Sequence, residues 1–376
     1  MEDKNNVKMS FISLALLPFV MVIGNSMFIP ILLNIEESLH ITSVKAGLLL
    51  TVFSITAAIA IPLSSYYAEK LGKRRVTLVL LIFVAVGSLI CSITLVIPAS
   101  FFTYRLLIIG RILQGLGAGR LSPLAMSIIG ELFIGETRSR ALGATEVFNS
   151  FGKMISPFLG IVAVMITWEI SFVIYLFISI ITFFSIAVFI RLDEKKKKMT
   201  IINYGQSVLL VVKQNYKQLL PIFYFSGVLL FCFYGLLVYL TYELEYVYGI
   251  TGLMRGVVFF IPLGMMTISS YISGNIVGKS TSNLRYAMFT AYIFLFLPLI
   301  GGMLEHHFIF LLIIFATFSI GIGLMLPCCN YLVTSSVYKN ERGITLSLYG
   351  MARCIGVATG PIVYSHWMVQ EWRLFA

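Results

Sequence analysis

The chain is divided by apolar runs at approximately 10–33, 45–66, 76–97, 103–132, 141–166, 169–190, 219–241, 253–277, 285–303, 308–334 and 344–368. A helix needs ~20 apolar residues to cross a bilayer, and each run is long enough. In hydrocarbon every backbone N–H and C=O must be paired inside the segment, so runs of this length span as helices. The rest of the composition agrees: 59% of residues are hydrophobic, 11% are charged, and mean hydropathy is +0.96. Soluble domains carry about 25% charged residues, which excludes an ordinary soluble enzyme. Disorder is excluded too, because it requires low hydrophobicity and high charge. The expectation is an all-α polytopic membrane protein.

Charge sets the expected orientation. With the N-terminus cytoplasmic, 19 of the 27 Lys and Arg residues fall in cytoplasmic segments, and four (Lys45, Arg105, Arg255, Arg373) fall outside. This is the bias of cytoplasmic loops toward basic residues. It accounts for the net charge of +11 without a nucleic-acid partner. The central segment 191–218 carries Arg191 and Lys195–Lys198, and reads as a cytoplasmic loop between halves 1–190 and 219–376. Its lysines serve as a solvated anchor or contact anionic lipid. Lys4 and Lys8 precede the first run with no small-residue cleavage site, as in a retained span rather than a signal peptide.

Several chemistries find no support. The five cysteines sit in apolar runs, arguing against a disulfide framework, and the four histidines lack ligand spacing. There is no GxxxxGK[ST] loop to cradle a nucleotide phosphate, and no nucleophile–base set in the spans. No metal, cofactor or catalytic residue is expected.

A shift of 204 residues superimposes the two halves. Gly117 falls on Gly321, Gly119 on Gly323, Pro123 on Pro327, Arg138 on Arg342, Gly152 on Gly356, Pro157 on Pro361 and Trp168 on Trp372. A duplicated six-span unit explains these matches, and parallel repeats of this kind build one large class of secondary transporters. At the same offset Phe172 meets Ala376, the last residue. The chain is therefore expected to stop where a twelfth helix would begin.

Three segments carry further signals. After the second run comes Ser65-Tyr-Tyr-Ala-Glu69-Lys70-Leu-Gly72-Lys73-Arg74-Arg75, a tight turn with an acid and a basic cluster. The fourth run holds Arg111-Ile-Leu-Gln114-Gly115-Leu-Gly117-Ala118-Gly119, in which Arg111 and Gln114 share a helix face and the glycines permit close approach. The fifth holds Gly152-Lys153-Met-Ile-Ser156-Pro157-Phe-Leu-Gly160, a bend with small neighbours. In this order they resemble the signature motifs of the major facilitator superfamily. The third is similar to the antiporter motif of its twelve-span drug:proton antiporter branch. Ser65, Glu69 and Ser156 depart from the usual Gly, Asp and Gly. The resemblance implies two six-helix halves that rock about a midplane cavity. It also implies a cytoplasmic gate at Glu69, Lys70, Gly72, Lys73 and Arg74, a polar fourth-span arginine at Arg111, and a leak-limiting interface at Gly152, Ser156, Pro157 and Gly160.

Charged side chains within the runs cost roughly 2.5–3.5 kcal/mol each at mid-helix, so they should face partners or a wet cavity. They are Arg111, Arg120, Lys153, Arg353 and one clear acid, Glu146. Glu146, Asn149, Ser150 and Lys153 form one stripe on the fifth run, and Arg353 occupies the repeat position of Asn149. Either Glu146 carries the coupling proton opposite Arg120 or Lys153, or it is a permanent bridge to Lys153. Arg120 either favours an anionic substrate or pairs with Glu146. Asn25, Gln114, Phe148, Phe151, Phe231 and Tyr234 are candidates for lining the cavity. The leading expectation is a monomeric, proton-driven exporter of hydrophobic or amphipathic small molecules (multidrug efflux) in the cell membrane, with lipids around it. The alternatives are export of one endogenous metabolite or lipid, and a transport-dead sensor or scaffold.

Overall fold

A computed structural model describes residues 4–133, 135–192, 201–277, 280–301, 308–337 and 341–375. The first half comprises α1 (Lys4–Ser26), α2 (Leu32–Leu39), α3 (Ser43–Leu71), α4 (Lys73–Ser92), α5 (Phe101–Ala118), α6 (Leu121–Leu132), α7 (Gly135–Val164) and α8 (Ile170–Phe189). The second comprises α9 (Ile201–Tyr246), α10 (Gly252–Val277), α11 (Thr281–Gly301), α12 (Phe308–Ser335) and α13 (Arg342–Phe375). No strand occurs among the described residues. Ten segments are long and apolar enough to cross a membrane, with α5 and α6 joined into one of them. The 21-residue α11, ninth in chain order, is outside those ten but long enough for an eleventh crossing, and the short α2 lies between crossings. The crossings alternate, so the turn at Gly72 and the helix ends at Leu132, Gly135, Phe189, Ile201, Val277, Thr281, Ser335 and Arg342 share the face of the start of α1.

The breaks have local causes. Gly72 turns the chain between α3 and α4 at φ 102°, a conformation that L side chains rarely adopt. Ser100 caps α5 by accepting from the Thr103 N–H at 3.3 Å. The fourth crossing is interrupted at Gly119–Arg120 because Pro123 has no N–H to give the Gly119 carbonyl.

Residues 201–218, read above as loop, are helical and continuous with the seventh crossing. No proline intervenes before Pro221, and Tyr204, Val211 and Leu219 bury one face at helical spacing. The outer face mixes exposed Leu209 and Leu210 with Lys213 and Lys217, and these polar breaks hid the helix from a search for apolar runs. Lys195–Lys198 lie outside the described residues.

The duplication is visible in the packing. In the first half α1 packs on α7, α4 on α5 and α3 on α5; in the second, α9 packs on α13, α11 on α12 and α10 on α12. Glycines at the 204-residue offset sit at equivalent approaches. Gly117 lies against Leu80 of α4 and Gly321 against Leu295 of α11; Gly119 lies against Ala57 of α3 and Gly323 against Met266 of α10. Gly152 meets Phe19 of α1, while Gly356 meets Gly227 of α9. Between the halves the seams are α3 on α13 and α7 on α10. The outer surface is a lipid-compatible band. On α8, Phe177, Ile181, Phe184 and Val188 form one stripe, each close to 60% exposed.

Candidate transport pathway and its gates

Arg111 is 1% exposed and lies inside the first half. Its Nε donates to the Leu49 carbonyl at 3.1 Å, and Nη1 donates to the Gly24 carbonyl at 2.8 Å and Gln114 Oε1 at 2.9 Å. The guanidinium lies over the rings of Phe28 and Phe53, 4.6 and 4.4 Å from their centroids. Gln114 passes the chain on to Ser88 Oγ at 3.1 Å. Arg111 and Gln114 thus share a face as their spacing predicts. Gln114 is fully buried in this cluster. A guanidinium tolerates this site because carbonyl dipoles and ring faces replace its hydration.

The expected gate on the N-terminal face is divided between two jobs. Lys73 pairs with Glu131 of α6 at 2.5 Å, and Arg74 Nη2 donates to the Ala187 carbonyl of α8 at 2.8 Å. Lys70 donates to Tyr66 Oη, one turn back on its own helix, at 3.3 Å. These bonds brace α3, α4, α6 and α8 within one half. Contacts across the halves on this side include Ser65, whose hydroxyl is 2.9 Å from Ser347 of α13, and Arg120, which donates to the same Ser347 oxygen. Glu69 and Tyr204 of α9 act electrostatically on Arg120. The kink at Gly119–Arg120 brings Arg120 to this seam. The side chain of Glu146, the partner considered for Arg120 and Lys153, lies outside the described residues.

Near mid-membrane, polar groups of the two halves meet. The Tyr234 hydroxyl of α9 lies beside Asn25 and Ser26 of α1, and Arg353 of α13 acts on it electrostatically. Arg353 stacks over Tyr349, 5.5 Å from the ring centroid. Asn25 is 7% exposed and its Oδ1 has no hydrogen-bond partner among the described residues. Asn149 and Lys153, one turn apart on α7, are half-buried. The aromatic candidates engage neighbours in their own half: Phe148 and Phe151 each lie 6.3 Å from Phe19, and Phe231 lies 5.8 Å from Tyr364. Ser156 is fully buried, Pro157 is interior to α7, and Gly160 packs on the Met27 backbone.

The opposite face is closed by residues that the sequence did not single out. Tyr242 Oη donates to Glu36 Oε2 at 2.6 Å, from α9 to α2. Arg255, 2% exposed, donates to Glu245 Oε2 at 2.7 Å and to Asn34 Oδ1 at 3.0 Å. Phe158 and Phe260 close the α7–α10 seam at 6.0 Å. Beside this cluster a cleft of about 500 Å³ opens between α2 and the α7–α8 turn, lined by Asn34, Glu37, Trp168 and Glu169 among others. The one available signal was a cluster of acids at the ends of apolar runs, which reads as ordinary interfacial charge.

Two duplicated helical halves, meeting across a polar midplane and bonded to each other at both faces, define a membrane transporter of the two-half, alternating-access class. The pattern of the Major Facilitator Superfamily matches residues 14–361, and the chain belongs to that family. It is 32% identical over 370 residues to the bacillibactin exporter of Bacillus subtilis (strain 168), covering 97% of this chain and 92% of that one. Multidrug resistance protein 1 of the same organism is 21% identical over 371 residues, 96% and 90% of the two chains. The fold superposes on the human organic anion transporter MFSD10 (TETRAN) with TM-score 0.69 at 18% identity, covering 98% of this chain and 94% of that one. As a family member the protein is a transporter rather than an enzyme and needs no cofactor. Such proteins bind small-molecule substrates and typically act as monomers.

Proposed function

We propose that the protein is an exporter in the cell membrane, with its N-terminus in the cytoplasm, that expels one endogenous small molecule of bacillibactin's kind against proton entry. The observation that carries this reading is the near end-to-end similarity to the bacillibactin exporter. Alternating access of the two halves moves the substrate past Asn25, Tyr234 and Arg353. The proton carrier is Glu146, on the same helix as Asn149 and Lys153. The bias of basic residues toward the N-terminal face supports the orientation. Broad multidrug efflux is the second reading, favoured by the similarity to multidrug resistance protein 1.

Proteoliposomes with an imposed pH gradient test both. Bacillibactin should be transported in a gradient-dependent way, while a panel of cationic dyes stays near the empty-liposome rate. Efficient dye transport without bacillibactin transport would select the multidrug reading, and neither would refute the exporter. Glu146→Gln should abolish acceleration by the gradient; full acceleration in that variant would remove Glu146 as the carrier.

A further inference from the structure

The eight-residue α2 belongs to the first half in sequence but closes against the second. Leu32, Leu33, Ile35 and Leu39 are buried, so the helix is docked. Across the seam Tyr242 donates to Glu36, and Arg255 ties Asn34 of α2 to Glu245 of α9. Carboxylates from both halves gather here. α2 contributes Glu36 and Glu37, and the end of α9 contributes Glu243 and Glu245. Glu36, Glu37 and Glu245 all act on the Tyr246 hydroxyl of α9. Among the described residues, Arg255 of α10 bonds into this group through Glu245 and Asn34. His40 at the C-cap of α2 and Lys45 in the first turn of α3 are exposed to solvent. Closing this face therefore crowds carboxylates together, and opening it returns them to water, which screens their repulsion. A proton on Glu36 removes one charge from the crowd and leaves an acid that still accepts the Tyr242 bond.

We propose that Glu36 is a proton-binding site at the exit mouth, and that protonation there holds α2 against the second half and keeps the exit shut. That this mouth is the exit rests on the exporter reading above; the proton-dependent closure does not. The direction of titration agrees. Burial is the largest effect; with a smaller push from the charge of Glu37 it outweighs the opposing Tyr242 and Ser43 hydrogen bonds and holds Glu36 above the ordinary carboxyl value of 4.5. A carboxyl whose pKa is higher in the closed arrangement favours closure fully below about 4.5, and that contribution is lost as pH rises through the closed-state value. In an exchange cycle, a proton arriving from outside would close the exit behind a departed substrate.

Paired spin labels test this in the full chain in nanodiscs. They are placed at Ser38→Cys and Val247→Cys, with Cys232→Ser and Cys354→Ser to silence the half-buried thiols. The short-distance population should fall as pH rises in the wild-type background. In Glu36→Gln, a neutral isostere, it should stay high at every pH. Tyr242→Phe should move the midpoint upward, because the lost hydroxyl bond favours the ionised form. Glu37→Gln should keep the pH dependence and move its midpoint downward. An unchanged midpoint in Glu36→Gln, or a wild-type distance independent of pH, would overturn the proposal. Absence of transport with a normal pH-dependent distance would refute the exporter reading and leave the latch standing.

Discussion

At Gly119 the backbone of the fourth crossing comes so close to α3 that a single methyl group is excluded. A Cβ built there would lie 2.6 Å from the Ala57 carbonyl oxygen, 2.8 Å from its Cα and 2.9 Å from its Cβ. Two of these atoms are backbone, so no rotamer change relieves the overlap. Restoring an ordinary 3.4 Å contact requires the helices to part by the difference between 2.6 and 3.4 Å, about 0.8 Å. Overpacking of this kind costs roughly 1–3 kcal/mol. Alanine in place of glycine in a helix recovers roughly 0.5–1 kcal/mol, so Gly119→Ala should lose about 1–2 kcal/mol net. At about 2 °C per kcal/mol for a large chain, the thermal midpoint in detergent should fall by roughly 2–4 °C. Gly264→Ala, where a Cβ meets nothing within 4 Å, serves as the control and should hold or raise the midpoint. Gly323→Ala, the repeat counterpart packed on Met266 and Ser269, should lose as much as Gly119→Ala. If Gly119→Ala melts no lower than Gly264→Ala, the close approach does not constrain the bundle and the argument fails.

Two further outcomes follow from the charged sites. Arg111→Lys keeps the charge but cannot reach Leu49, Gly24 and Gln114 together. Losing two charge-assisted bonds at ~1.5 kcal/mol each should destabilise the protein by about 3 kcal/mol, read as a lower thermal midpoint; an unchanged midpoint would refute the packing role. Arg353→Gln removes the midplane cation beside Tyr234. In proteoliposomes it should lower the preference for anionic over neutral substrates about tenfold or more while leaving the thermal midpoint near wild type, whereas unchanged selectivity would exclude Arg353 from substrate recognition.

Much of the architecture was legible in order along the chain. Hydrocarbon demands long apolar segments with internal backbone pairing, so the crossings and their alternation follow from hydropathy alone. The duplication was legible because close helix approach admits only glycine at certain positions, and those positions recur at a fixed offset. The pairing of Arg111 with Gln114 was legible from three-residue spacing on a helix. Helical residues 201–218 were not, because Gln206, Lys213, Gln214, Lys217 and Gln218 break the apolar run while one buried stripe still holds the helix.

What only the tertiary structure decided is which polar groups meet across the seam between the halves. Nothing local distinguishes Ser347 from any other serine, yet Ser65 and Arg120 converge on it from more than 200 residues away. Lys73 reaches Glu131 and Arg74 reaches the Ala187 carbonyl, contacts within one half that no local pattern announces. Glu36 and Tyr242 are unremarkable residues at helix ends until the second half folds back over α2. Hydrophobic length and small-residue spacing are properties of a segment and are written along it. A hydrogen bond between halves depends on how two separately folded bundles are set against each other, and that relation exists only once both are in place.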